Sequence, residues 1–209
     1  PKAWVSSWKD DLDELWVPSQ FVKDGYVQSG MPEGRVAVIP NGVDLSFFSP
    51  REGERHHDLL FTGNMNYPPN IDSVLFLARR VLPLVRRQRP GTSLLISGVD
   101  PSPQVKELAK LDPLISVSGW VKDIRDSYAN AKIFCAPMQI GTGLQNKLLE
   151  AMAMRIPCIT SSLANNAVGA PAGEAILIGN EPEEYAAHIL RLLSEPGERD
   201  RIAANGNRF

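Results

Sequence analysis

Lys147 and Glu150 stand three residues apart, just behind the glycine-rich run Gly141-Thr-Gly-Leu-Gln-Asn146. In a helix this spacing puts the ammonium and the carboxylate on one face. Lys132-Ile-Phe-Cys-Ala-Pro137 before the run reads as a short apolar strand, and Ile156-Pro-Cys-Ile-Thr160 after it as another. A strand, a glycine loop and a helix start together make a phosphate site. Gly141 and Gly143 let backbone approach an anion, and the free N–H groups and helix dipole favour negative charge. Lys147 adds a mobile point charge. The Glu150 carboxylate can accept two hydrogen bonds and so clasp the vicinal hydroxyls of a ribose. It lies about 9 Å along the axis from Leu144, at about 1.5 Å per residue. One ligand with phosphates at one end and hydroxyls at the other spans both, and a nucleoside diphosphate has that form.

These groups need a scaffold, and the rest of the chain supplies one. Strand patterns fall at Leu59–Thr62, Leu94–Ser97, Ile115–Ser118, Ile133–Ala136, Pro157–Thr160 and Ala175–Ile178. Helical patterns fall at about Ile71–Gln88, Pro103–Lys110, Ile124–Ala131 and Gln145–Met154, with a terminal pair near Pro182–Ser194 and Gly197–Asn205. This alternation predicts a parallel sheet with helices on both faces, an α/β, Rossmann-like, doubly wound domain. Pro83 falls inside the longest helical pattern and predicts a kink or break there.

Residues 1–45 do not follow that repeat. Leu15-Trp-Val-Pro18 reads as a strand end, Ser19 as the N-cap of a helix through about Gln28, and Arg35–Ile39 as another strand. Pro40-Asn-Gly-Val-Asp44 is turn chemistry, followed by a charged stretch, Arg51–Asp58, expected to be flexible. The division expected is 1–45 and 46–209, with the boundary in the stretch between Asn41 and Asp58. His56 and His57 are expected to be solvated there.

Composition narrows the function. A hydrophobic content of 43% with 22% charged residues fits an ordinary globular chain, and a net charge of −2 gives no reason to expect nucleic-acid binding. No apolar run approaches the roughly 20 residues that span a bilayer, and no signal peptide is visible at the start. Cys135 and Cys158 each sit in an apolar strand pattern and read as buried free thiols, consistent with a cytoplasmic setting. No His/Cys/Asp cluster has metal-ligand spacing, so no metal or cofactor is expected.

Several segments, in order, resemble GT-B glycosyltransferases of the GT4 type. Val38-Ile-Pro-Asn-Gly-Val-Asp-Leu-Ser-Phe-Phe-Ser-Pro50 is similar to that family's segment between its two domains. Phe61-Thr-Gly-Asn-Met-Asn-Tyr-Pro-Pro-Asn70 resembles the first strand and loop of its donor domain, and Gly119-Trp-Val-Lys-Asp123 its base-binding loop. Glu150-Ala-Met-Ala-Met-Arg-Ile-Pro-Cys-Ile159 resembles the second half of its donor-site motif.

The resemblance implies sugar transfer from a nucleotide-diphosphate sugar, with retained configuration and no required metal. The donor would be held by Gly63, Asn64, Val121, Lys122, Gly141, Thr142, Gly143, Leu144, Lys147 and Glu150. It also implies a donor-binding half attached to the tail of an acceptor-side domain. That missing domain would be its partner, would carry any peripheral membrane contact at the inner face, and would leave this piece inactive alone.

Two positions depart from the family pattern. Thr142, separated from Glu150 by seven residues, stands where the family has its first glutamate, so no catalytic residue is assigned. Asn64 stands where many members carry an arginine, and Tyr67-Pro-Pro-Asn70 supplies no lysine. Asn64 reads either as an amide donor to the ligand or as a loop cap. Asp123, ahead of the Ile124 helix, reads as an N-cap.

Three rival functions are weighed. A nicotinamide dehydrogenase fits poorly: Gly141-Thr-Gly-Leu-Gln-Asn146 lacks the third glycine, comes late in the chain, and no acid ends the next strand. A non-catalytic nucleotide-sugar-binding module and a GT-B sugar-nucleotide epimerase both share the expected fold.

Overall fold

The structure is a computed structural model that describes Val5 and residues 7–140 and 145–209. Two parallel sheets organise it. In the smaller, β1 (Leu15–Val17) pairs with β2 (Val36–Val38) across helix α1 (Gln20–Gln28). The Ser19 hydroxyl caps α1 by accepting from the Val22 amide, as its position ahead of the helix predicts. Val5, Val17, Met31 and Val36 form a buried cluster under this unit, with Trp8 packed edge-to-face on Tyr26. Trp16 stays exposed, its indole donating to Glu14.

The larger sheet holds β3 (His57–Thr62), β4 (Leu94–Ser97), β5 (Ile115–Gly119), β6 (Ala131–Ala136), β7 (Cys158–Thr160) and β8 (Leu177–Ile178). All pairs are parallel, in the order β5-β4-β3-β6-β7-β8. Relabelled from the first strand this is 3-2-1-4-5-6, the doubly wound order. Leu59, Leu60 and Phe61 of β3 and Ile133, Phe134 and Cys135 of β6 are fully buried. Strands covered on both faces have no reason to alternate, and these read as continuous apolar runs.

The covering helices are α2 (Pro68–Phe76), α3 (Leu82–Arg86), α4 (Pro103–Leu111), α5 (Ile124–Ala129), α6 (Asn146–Ala153), α7 (Ser162–Val168), α8 (Pro182–Ser194) and α9 (Pro196–Arg208). The break expected at Pro83 takes a definite form. A π-helical turn, Leu77–Val81, separates α2 from α3, and Pro83 sits in the first turn of α3. Proline lacks the N–H that would bond back to Arg79, and a wider turn accommodates its ring.

Three local expectations need correction. β3 begins at His57, two residues before Leu59, and His57 pairs with Ala131 in the ladder. Its ring is half-buried, and desolvation pushes the imidazole pKa down, so it is not a solvated linker histidine. The Arg51–Asp58 stretch is anchored rather than free. Arg51 bonds Asp123 at 2.8 Å and Asp126 at 2.5 Å, while Asp58 takes Lys132 at 2.9 Å. Helix α7 was not anticipated. Ser161 caps it through the Ala164 amide, and Gly169, at φ +77°, ends it in the left-handed region. Cys135 and Cys158 are buried and unpaired, as expected. Among the described residues no helix is long and apolar enough to cross a membrane.

Candidate functional site

The sheet reverses direction of growth between β3 and β6, and the loops leaving these strands diverge there. Open α/β sheets carry their ligand crevice at such a point, beyond the carboxyl ends of the strands. A cavity of about 820 Å³ opens there. Thr62, Gly63 and Asn64 reach it from the end of β3, Gly98 and Val99 from β4, Trp120 and Val121 from β5, and Met138 from beyond β6. Lys147 and Glu150 face it from α6.

Its floor depends on two glycines. The Gly63 amide donates to Ser97 O at 3.1 Å, and the Met65 amide to Val99 O at 2.8 Å, so the β3 and β4 exit loops run together. A Cβ on Gly98 would sit 1.8 Å from Gly63 O, and Gly98 has φ +139°. Gly63 is also confined, since a Cβ there would meet Asn70 Nδ2 at 2.6 Å and Lys147 Nζ at 3.2 Å. The two backbones can approach this closely only without side chains.

Lys147 donates to Asn70 Oδ1 at 2.6 Å and lies over the Phe61 ring, 4.4 Å from its centroid. Burial is the larger influence on its ammonium and pushes the pKa down to about 8, with the Glu150 charge opposing. Asn70 in turn donates from Nδ2 to Asn64 O at 2.9 Å, which ties the lysine to the β3 exit loop. Lys147 therefore pairs with Asn70 across the cavity rather than with Glu150 along its own helix. The Glu150 carboxylate accepts from the Tyr128 hydroxyl at 2.8 Å.

Of the other residues expected at the site, Asn64 lines the cavity and also caps its own turn, with Oδ1 accepting from the Asn66 amide at 2.8 Å. Val121 lines the cavity, whereas Lys122 is exposed and outside its wall. Asp123 is the N-cap of α5, accepting from the Arg125 amide at 3.0 Å. Its hydrogen bonds from Arg125, and then from Arg51, hold its carboxyl well below the usual range. Gly141, Thr142, Gly143 and Leu144 lie outside the described residues. Asn70, Tyr67, Trp120 and Tyr128 were not picked out from sequence as site residues. Among the described residues, no group of three His, Cys, Asp or Glu side chains could hold a metal ion.

A doubly wound parallel sheet with a crevice at its switch point defines a Rossmann-like α/β protein. The sequence model of the family "Glycosyl transferases group 1" matches residues 56–195, and the chain belongs to that family. It is 28% identical over 202 residues to the MMP alpha-(1->4)-mannosyltransferase of Mycolicibacterium hassiacum, covering 93% of this chain and 48% of that protein. It is 26% identical over 159 residues to an uncharacterized 44.6 kDa protein in the cps region of Klebsiella pneumoniae, covering 73% and 41%. The chain thus spans about half the length of these curated relatives. Among solved structures it resembles Anabaena HepE in complex with UDP and glucose, with a TM-score of 0.74 and 16% identity over 94% of this chain and 57% of that one. It also resembles S. aureus TarM, solved with UDP among its ligands, with a TM-score of 0.82 and 12% identity over 99% and 42%.

Proposed function

We propose that this chain is the donor-binding half of a glycosyltransferase that moves a sugar from a nucleotide-diphosphate sugar to an acceptor. The observation that carries this reading is the placement of Lys147 and Glu150 in one cavity at the switch point of the sheet. Lys147 would neutralise the diphosphate as it leaves, a charge effect that matters most in a partly desolvated site. Glu150 would hold the ribose hydroxyls, and the backbone of the Gly119–Asp123 loop the base. Retention of configuration and independence of metal remain part of the proposal through the family, as does work in the cytoplasm on cell-surface polysaccharide.

We further assign residues 1–45 to the acceptor-side domain and residues 46–209 to the donor side. The separate sheet and separate buried cluster of β1, α1 and β2 support this division. An opposing domain would seat the acceptor against the anomeric carbon and exclude water, an effect that can reach roughly 7–11 kcal/mol of the barrier.

The test is a thermal-shift screen with UDP, GDP and their sugars against NAD, followed by a transfer assay on the same preparation. Stabilisation by a nucleoside diphosphate and none by NAD is expected. Transfer is expected from the full-length enzyme and not from residues 1–209 alone. A non-catalytic binding module is the second reading. It is favoured by one observation: among the described cavity residues Lys147 is the single cation, and Asn64 stands in the place of another. Donor binding without hydrolysis or transfer by the full-length protein would select it.

A further inference from the structure

Tyr128 sits on α5 with its side chain fully buried, and its hydroxyl is a meeting point of three elements. It lies 2.9 Å from Thr62 Oγ1 on β3, 2.8 Å from Glu150 Oε2 and 3.3 Å from Lys147 O on α6. A phenol has one proton and a carboxylate only accepts, so the direction of the chain is determined. Thr62 donates to the phenol oxygen, and the phenol donates to Glu150, with the Lys147 carbonyl as a second acceptor. Burial and the neighbouring Glu150 charge push the phenol pKa up, which keeps that proton in place. The ring is wedged between Phe134, at 5.6 Å, and Phe48, at 6.3 Å between centroids.

We propose that Tyr128 is a positioning residue that holds the Glu150 carboxylate in the orientation that receives the donor's vicinal hydroxyls. This rests on the reading of Glu150 as the hydroxyl-binding group. A glutamate side chain free to rotate loses that freedom on binding, and one already held does not. A hydrogen bond to an ionised acceptor is about twice as strong as a neutral one. The bond from Tyr128 uses one of roughly four acceptor positions on the carboxylate and leaves the others for ligand. Tyr128 itself touches no ligand in this scheme and acts through Glu150.

The test compares the full-length enzyme with its Tyr128→Phe variant by calorimetry. The probes are UDP and GDP, each paired with its 2′,3′-dideoxy analogue, with melting temperature recorded alongside. The unaltered enzyme should prefer the ribonucleotide by about tenfold or more, as the loss of a hydrogen bond to a charged group implies. Tyr128→Phe should lose most of that preference while binding the dideoxy form as before. A preserved preference, or equal weakening of both forms, overturns the positioning role and leaves the donor site standing. An unaltered enzyme that binds no nucleotide, or binds both forms alike, removes the reading of Glu150 and the proposal with it. If Tyr128→Phe does not fold, Thr62→Val takes its place, because it deprives the phenol of its donor while keeping the side-chain shape. A reduced preference in Thr62→Val supports the proposal, and an unchanged one overturns it.

Discussion

The Lys147 ammonium lies 2.6 Å from Asn70 Oδ1, with the face of Phe61 on another side at 4.4 Å. On the proposed reading of Lys147 as a diphosphate-binding group, phosphate oxygens would compete with this amide oxygen and ring for the ammonium. Both are weaker partners for a cation than a diphosphate, so the side chain is placed but not neutralised.

This arrangement predicts a pH dependence with opposite signs for stability and for binding. The folded pKa of Lys147 is lowered to about 8 from 10.5. Between those values the unfolded chain binds a proton that the native chain has released, so this group's contribution makes the apo protein more stable as pH rises. Diphosphate binding needs the charged form, so affinity should fall as pH rises above about 8. Lys147→Met should abolish this fall. Calorimetry with UDP or GDP from pH 7 to 9, below the range in which the ring N–H of the bases titrates, reads it, and a flat profile in the unaltered protein would refute the role of the lysine.

Asn70 should set where that fall begins. Its Oδ1 stabilises the ammonium, so Asn70→Ala should move the onset to lower pH and Asn70→Asp to higher pH. An onset that is the same in all three proteins would show that Asn70 only shapes the loop.

Glu150→Ala should weaken nucleotide binding in the full-length enzyme by about 1.5–3 kcal/mol, the range for a hydrogen bond to a charged group. Calorimetry measures it directly, and unchanged affinity would make Glu150 a helix residue with a tyrosine partner and nothing more.

Gly98→Ala and Gly169→Ala form a matched pair. Both positions have positive φ, but a Cβ at Gly98 meets Gly63 O at 1.8 Å, while one at Gly169 meets nothing within 4 Å. The Gly169 change should cost only the backbone term, about 1–2 kcal/mol. The Gly98 change should add a steric cost of about 1–3 kcal/mol and distort the cavity floor. Chemical denaturation of both variants gives the difference, and equal losses would contradict the close approach.

The sheet was legible in the sequence because buried parallel strands are short apolar runs with helices between them, as at Leu94–Ser97. Caps were legible where a polar residue precedes a strong helical pattern, as at Ser19 and Asp123. Helix α7 was not, although Ser161 and Gly169 bracket it, because Ser162–Val168 is short and partly polar and shows no clear apolar stripe. At the site, Lys147 and Glu150 announced themselves by spacing within one helix. Tyr128 and Asn70 did not, because their partners lie 22 and 77 residues away. A tyrosine in a helix reads as core, and only the fold shows where its hydroxyl ends. The contact between Gly63 and Gly98 is of the same kind, since two separate turns read as two ordinary loops until the sheet brings them together.

The strand order also bears on how the chain is made. β3 is made first among the strands of the larger sheet and ends at its centre, flanked by β4 and β6. β4 and β5 can join one side of it early, but β6 begins only at Ala131, after about 70 further residues at roughly 5–20 residues per second on the ribosome. Until β6 arrives, Leu59, Leu60 and Phe61, buried in the finished fold, would lie beside an unpaired strand edge, the kind of surface that recruits other nascent strands. Slow elongation between Gly63 and Asn130 would lengthen that exposure, and a holdase chaperone that covers β3 would shorten its consequences.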